Sequence, residues 1–594
     1  MKRIISLLLA VVMTIGCITV LSSCGAPKND GAEISIYLGD IVLDFDPSDY
    51  YVSSSAEQVM SLLYEPLFKL STKGKIECAA AKSYKVDKEE RKIIIEIRES
   101  YWSDEIQLRA ADFVYAWCDR IINPSNPNPA AALFADIEGV KEVMNGEGSI
   151  FDVGIKATEM QQITITYCEG ADYKNILRNL ASIAASPVRQ DIVESAETYW
   201  SKSANSIVTN GPFKFKMLDK ETGEFELSRN LGYHQHPTTK DYDNKVNPAL
   251  LYTTFNTADN EIKVSYQQIE DKVTFILADA PLADREAYKK KADVSDDTSV
   301  YTYVFNTDHP LFSDPNVRIA LSLMIDREAI VDAITFGKPA DGFVPDACGG
   351  AEDVIISTTA NETLAREYLA KANQSTVAAN KAFKLTVAPD EESLAIAEIV
   401  KAAWEKLGFV VTVVAAQPCT STIVTESGVE NPASVSVIDD GIQHLIKEAS
   451  YGNVQYDVIG IDWQMYSTDG VVGLAALTSD LNGYGREYIA GDVGAGASDS
   501  SVLRKNIARW SDDKYDALVS AILSTDNKKS RQAAIASAEE YLATAMPVCP
   551  LVFNQSFVFA SSKISKLDFD GLGNLVFTDV KLSGYTKFYK PEEE

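Results

Sequence analysis

The 594-residue chain has little histidine, only four residues. No His-Glu-x-x-His occurs, which excludes the zinc-protease site of that pattern. His234 and His236 form a His-x-His pair, but no third ligand lies near them in sequence, and a solvated strand end or loop accounts for the pair. There is no Cys-x-x-Cys, so zinc-ribbon and thioredoxin-like chemistry find no support. A phosphate-cradling Gly-x-x-x-x-Gly-Lys-[Ser/Thr] and a Gly-x-Ser-x-Gly nucleophile elbow are absent too. Asp44, Asp46 and Asp49 fall in "DFDPSDY", which lacks the glycine and terminal glutamate of a calcium loop and reads as a capped turn. Carboxylates are abundant, but none stands out as a glycosidase pair. No catalytic residue, metal ligand or cofactor site is therefore assigned.

Positive charge is also in deficit. Fifty-five Lys and Arg face 85 Asp and Glu, for a net charge of −30. Such a surface repels nucleic acid and anionic lipid, so neither is expected as a partner. Apolar residues make up 46% and charged residues 24%, ordinary values for a globular protein. The length exceeds what one core organises, so two or three lobes are expected.

Only one apolar run approaches membrane-spanning length, and it stands at the amino terminus. Lys2 and Arg3 precede an apolar stretch over residues 4–20, which ends in "LSSC". A basic start, an apolar middle and small residues before a cut make a secretory signal over residues 1–23. "LSSC" resembles the lipobox of bacterial lipoproteins, which implies a diacylglyceryl group on Cys24. One acyl chain holds a membrane only marginally, so an anchor of two chains is physically sensible. Residues 24–32 then read as a tether. Of the other cysteines, Cys17 leaves with the signal. Cys78, Cys118, Cys168, Cys348, Cys419 and Cys549 are widely scattered, and free buried thiols are the simplest reading.

Periodicity supplies the elements. Residues 55–68 read as a helix ending at Pro66. In "RAADFVYAWCDRI", Ala110, Phe113, Trp117 and Ile121 share one helical face. "PFKFKML" and "EFELSRN" flank "DKETG" as a hairpin. A helix is expected from Pro315 to the stop at Gly337. "KLTVAP", "ESLAIAEIVKAAWEKLG" and "FVVTVVAA" make a βαβ unit, and hence a parallel sheet. "YDVIGIDW" is a buried strand, and "GDVGAGASDSS" a loop. Two late helices are expected near 512–524 and 529–545. The class is α/β with more than one lobe, and a crevice at the strand ends is the default ligand site. Trp117 and Trp404 read as core. Trp463 ends a buried strand beside Asp462 and Gln464, where such a crevice would open.

These residues carry a resemblance. The stretch from Tyr64 to the "NP" after Ile122 holds Tyr64-Glu65-x-Leu67, Trp102-Ser103-Asp104 and Ala110-x-Asp112. "IVTNGPFKF" follows at 207–215. Asn306, Asp314, Val317, Arg318, Ala320, Leu321, Asp326 and Arg327 come next. In this order, over about 500 residues, the motifs resemble the bacterial extracellular solute-binding proteins of family 5. Those are the oligopeptide-binding lipoproteins of ABC importers.

The resemblance implies a two-lobed type II periplasmic-binding-protein fold, with an extra small domain inserted in lobe 1. Lobe 1 would take 33–75, 205–305 and 546–594, the insert 76–204, and lobe 2 306–545. It implies a monomer that encloses an extended peptide between closing lobes and presents it to a permease and ATPase complex. Backbone pairing like an added strand would give the affinity. By offset, ligand contacts would fall on Val52, Ser53 and Ser54, and on Asp462, Trp463 and Gln464. The family's Trp-x-x-Asp-Tyr-x-[Asp/Glu]-Pro holds a peptide amine on its first aspartate. Here the stretch is "WQMYSTDG": Trp463 and Asp469 match, Tyr466 replaces the aspartate and Gly470 the proline. A phenol is neutral at pH 7. Either Asp462 or Asp469 reaches the amine, or the ligand has none. A sensory or pheromone receptor on the same fold is the alternative; a lipoprotein hydrolase lacks its motifs.

Overall fold

The computed structural model describes residues 33–583, except 41, 49–53, 124–127, 146, 220–223, 240–245, 257–274, 426–432, 451–453, 480, 482–505 and 526. Cys24, Val52, Ser53 and the 491–501 loop lie outside the described residues.

One sheet of eleven strands organises the chain. In chain order these are β1 (Glu33–Asp40), β2 (Phe213–Asp219), β3 (Glu224–Arg229), β4 (Leu250–Asn256), β5 (Phe275–Leu277), β6 (Asp293–Phe305), β7 (Lys338–Pro339), β8 (Ala382–Val387), β9 (Val410–Ala415), β10 (Val458–Gln464) and β11 (Val548–Ala560). Their spatial order is β9-β8-β10-β6-β11-β5-β1-β4-β3-β2, and β7 pairs with β11. β8 and β9 run parallel, joined by the helix Glu391–Glu405. That helix buries Ile396, Ala397, Val400 and Trp404, the one-sided stripe its sequence encodes. The indole of Trp404 donates to the Leu321 carbonyl at 2.9 Å.

The two thirteen-residue strands β6 and β11 are antiparallel and carry the chain from one half of the sheet to the other. β6 changes character along its length. Its polar start, Asp293–Asp296, is largely exposed, whereas Val300–Phe305 is buried. Between these parts the register slips: Asp296 pairs with Gln555 and Val300 with Phe553. Asp297, Thr298 and Ser299 therefore stand against Asn554 alone. A bulge of this kind bends the strand and re-aims side chains, and here it marks the crossing point between the two halves.

Two local expectations differ from what forms. The helix expected from Pro315 to Gly337 is broken into Pro315–Leu323 and Arg327–Ile334. The first is closed by Met324, and Asp326 caps the second, accepting from the Ala329 N–H at 3.0 Å. The helix around Trp117 starts as Ala110–Val114 and widens to π geometry over Tyr115–Ile122; Ala110, Phe113, Trp117 and Ile121 are all buried as their spacing predicts. A separate four-stranded antiparallel sheet lies between residues 81 and 166. No disulfide joins the six cysteines, and no helix among the described residues is long and apolar enough to cross a membrane.

Candidate functional site

β10 ends at the bulge. Its register sets Gln464 opposite Ser299 and Trp463 opposite Val300. Side chains alternate along a strand, so Asp462 and Gln464 share the face on which Asn554 donates to Asp462 at 2.7 Å and to Ser299 Oγ at 2.9 Å. Burial pushes the Asp462 carboxyl up to about 8; Asn554 opposes this, and Glu392, Asp390 and Asp297 add to it.

Trp463 turns to the other face and is fully buried, with its ring 5.3 Å from that of Phe343. The chain then doubles back through Tyr466, whose φ of 56° lies in the left-handed region. Two glycines make this turn possible. A Cβ on Gly470 would stand 2.3 Å from Val344 Cγ1, and one on Gly473 would stand 2.0 Å from Met465 Sδ. Gly470, where the resemblance leads one to expect proline, also donates its N–H to the Cys348 carbonyl at 2.8 Å; proline has no N–H to give.

Asp469 is enclosed. Arg531 Nη2 meets its Oδ2 at 2.7 Å, and Arg531 Nε lies 3.1 Å from each carboxylate oxygen. The same Nη2 lies 3.4 Å from Asp136 Oδ2. Burial pushes the Asp136 carboxyl up to about 6, with Arg531 opposing the rise and Asp469 adding to it. Nearby, Ser467 Oγ donates to Asn179 Oδ1 at 2.7 Å. Together these contacts hold the segment after β10 against residues 129–179.

Sequence reasoning passed over a second group of buried acids. The helix Ser54–Leu63 begins at one of the expected contact residues, Ser54. Glu57 in its first turn is 4% exposed and accepts from Asn574 Nδ2 at 3.0 Å. Asp297, in the bulge, is 6% exposed. Burial, and next the charge of Asp297, push the Glu57 carboxyl up to about 8. Asp570 adds a third carboxylate, pushed up to about 6 by burial and within reach of Asp297's charge.

His234 and His236 do not converge on a common site. His234 Nε2 lies 2.5 Å from Glu65 Oε2, and Tyr233 Oη donates to Glu65 Oε1 at 2.5 Å. Burial alone would raise the Glu65 carboxyl, but the His234 charge, the His234 and Tyr233 hydrogen bonds and Arg98 outweigh it and hold it below the ordinary value. A lowered folded pKa stabilises the protein above about pH 4.5, and that contribution is lost as pH falls through the folded value. Glu65→Gln is therefore expected to cost about 1–3 kcal/mol at pH 7. The deficit should shrink below pH 4, as read by urea unfolding at both pH values. Equal stability of the two proteins at pH 7 would refute the network.

The family model described as bacterial extracellular solute-binding proteins, family 5 Middle, matches residues 75–480. The periplasmic oligopeptide-binding protein OppA of Escherichia coli is 27% identical over 266 residues, covering 43% of this chain and 46% of that protein. The oligopeptide-binding protein OppA of Bacillus subtilis is 26% identical over 360 residues, covering 59% of this chain and 64% of that one. The chain thus spans about half to two thirds of the length of these curated relatives. A solved structure of Haemophilus influenzae OppA in complex with RPPGFSPFR superimposes with a TM-score of 0.70 at 18% identity, covering 93% of this chain and 100% of that one. That likeness shows the fold, the two-lobed type II binding-protein architecture anticipated from the motifs. With the family model matched over two thirds of its length, the chain belongs to the bacterial extracellular solute-binding proteins of family 5.

Proposed function

We propose that this protein is the lipid-anchored receptor of an ABC importer. It captures an oligopeptide between two closing lobes outside the cytoplasm and delivers it, as a monomer, to the permease and ATPase complex. Cys24 carries the lipid that keeps it at the membrane surface. The observation that carries the reading is the pair of crossover strands, β6 and β11, with the buried polar end of β10 docked on their bulge. A hinge flanked by a closable crevice is what solute capture needs. Family membership and the peptides named for the relatives support a peptide as the solute. In this reading the strand end Asp462, Trp463 and Gln464, together with residues 52–54, supplies the backbone that pairs with the ligand. Closure makes the signal, because only the closed form sets both lobes for the permease.

Purification of residues 25–594, followed by native mass spectrometry, tests this. The expected result is a ladder of co-purifying peptides. A sugar or a metal chelate in their place overturns the peptide assignment and leaves the receptor.

A further inference from the structure

Buried acids in this molecule are, as a rule, compensated. Asp469 and Asp136 share Arg531. Asp279 and Glu392 share Arg285, and Asp46 meets Arg120. Glu539 receives three backbone N–H groups, from Phe343, Val344 and Ala351, at 2.8–3.0 Å. The hinge floor departs from this pattern. The charges that dominate Glu57 are Asp297 and Asp570; those on Asp462 are Glu392, Asp390 and Asp297. The Asp297 carboxylate draws on the Thr298 and Ser299 N–H groups and the Ser299 hydroxyl, and its Oδ2 accepts from Ser556 Oγ at 3.3 Å, but burial outweighs these and Oδ1 lacks a hydrogen-bond partner among the described residues. Beside it, Thr298 Oγ1 is buried and also lacks a partner. Gln464, with no exposed surface, has no partner for either its amide oxygen or its amide nitrogen.

Such groups are costly to bury alone. They are linked through shared neighbours: Asn574 donates to Glu57 at 3.0 Å, a Cβ on the adjoining Gly573 would stand 3.4 Å from Asp297 Cα, and Gln464 pairs with Ser299 in the β6 bulge. In the solute-receptor reading they lie at the hinge, where opening of the lobes exposes them to a solute.

We propose that Glu57 and Asp297, with Gln464 beside them, form a subsite for a cationic group of the solute, an alkylammonium or guanidinium. This rests on the solute-receptor reading above. A cation between the two carboxylates supplies the counter-charge that the protein withholds, and N–H donors on the same group reach Asp297 Oδ1 and the Gln464 amide oxygen. An organic cation suits the floor better than a metal ion, because no three His, Cys, Asp or Glu among the described residues are placed to hold one. Asp469 is a poorer anchor for the amine, since a ligand there competes with Arg531 for both of its oxygens. The subsite thus answers the substitution of Tyr466 for the family's aspartate: the positive end is held at the hinge, on the opposite face of β10 from the Trp463 side chain.

Calorimetric titration with tetraalanine, N-acetyl-tetraalanine and spermidine tests the assignment, using stripped wild type and the variants Glu57→Gln and Asp297→Asn, with folding checked by circular dichroism. Tetraalanine is expected to bind wild type at least tenfold more tightly than its acetylated form. Each variant is expected to lose at least tenfold for tetraalanine while keeping the affinity for N-acetyl-tetraalanine. Equal binding of both peptides, unchanged in both variants, overturns the cation subsite and keeps the peptide receptor. Carboxylate-dependent binding of spermidine without either peptide overturns the peptide reading and keeps the subsite. Wild type that takes up none of the three overturns both.

Discussion

Arg531→Met is expected to destabilise the protein by roughly 3–5 kcal/mol, the range for removing one partner of a buried ion pair. Arg531 lies on the helix Lys528–Ala545 with its guanidinium spread over three acceptors: Asp469, Asp136 and, through Nη1, the Ile522 carbonyl at 3.0 Å. Methionine fills much of the volume but leaves two carboxylates facing each other in a dry site. Their mutual repulsion and lost solvation set the size of the effect. Urea unfolding at pH 7 measures it. The double variant Arg531→Met with Asp469→Asn is expected to recover part of the loss, because one of the stranded charges is gone. The same contacts clasp the segment after β10 to residues 129–179, so X-ray scattering is expected to show a larger radius of gyration for the single variant. A loss below about 1 kcal/mol, in the range of an exposed pair, would refute the clasp.

The unliganded protein is expected to lose stability as pH rises from about 4.5 to about 8. Glu57 is pushed up from 4.5 to about 8, and Asp462 from 3.8 to about 8, both chiefly by burial. A raised folded pKa means that the folded state keeps a proton the unfolded chain has released. The associated stability is complete below the unfolded value and is lost as pH passes through the folded one. One unit corresponds to about 1.4 kcal/mol, so each group contributes on the order of several kcal/mol across this window. The groups facing Glu57 are Asp297, Asn574 and Asp570, and those facing Asp462 are Asn554, Glu392, Asp390 and Asp297. Glu57→Gln removes one titration. Wild type and variant are expected to be equally stable near pH 4, with the variant the more stable at pH 8.5. A variant less stable than wild type at pH 8.5 would show that the Glu57 charge supports the fold and carries no functional cost. Stability gained on removing a site residue is the usual mark of groups placed for a ligand.

Much of the architecture could be read from the chain in order. The βαβ unit at 382–415 has both periods in plain view, alternation in the strands and a four-residue stripe in the helix, and it forms as read. The hairpin at 213–229 and the late helices Asp513–Leu523 and Lys528–Ala545 are equally local. The break before Asp326 was hidden because the apolar pattern runs on through it, while the capping aspartate starts a new helix within that pattern.

The surroundings of Trp463 and Glu57 were legible only in part. Trp463 could be placed at a strand end by its neighbours, and the altered motif after it was visible as Tyr466 and Gly470. What these residues meet could not be seen. Glu57 follows Ser54 by three residues, the ordinary spacing of a helix start, and nothing local marks it as a partner of Asn574, 517 positions away. Asp469 gives no sign that Arg531, 62 positions on, claims it.

The sequence by itself determined which segments are strands and helices, which faces they bury and which family motifs they carry, because those depend on neighbours within a turn or two. Only the tertiary structure decided which carboxylates are neutralised and which are left without a cation. That depends on a register slip between two crossover strands far apart in the chain, and charge compensation is a matter of distance in space.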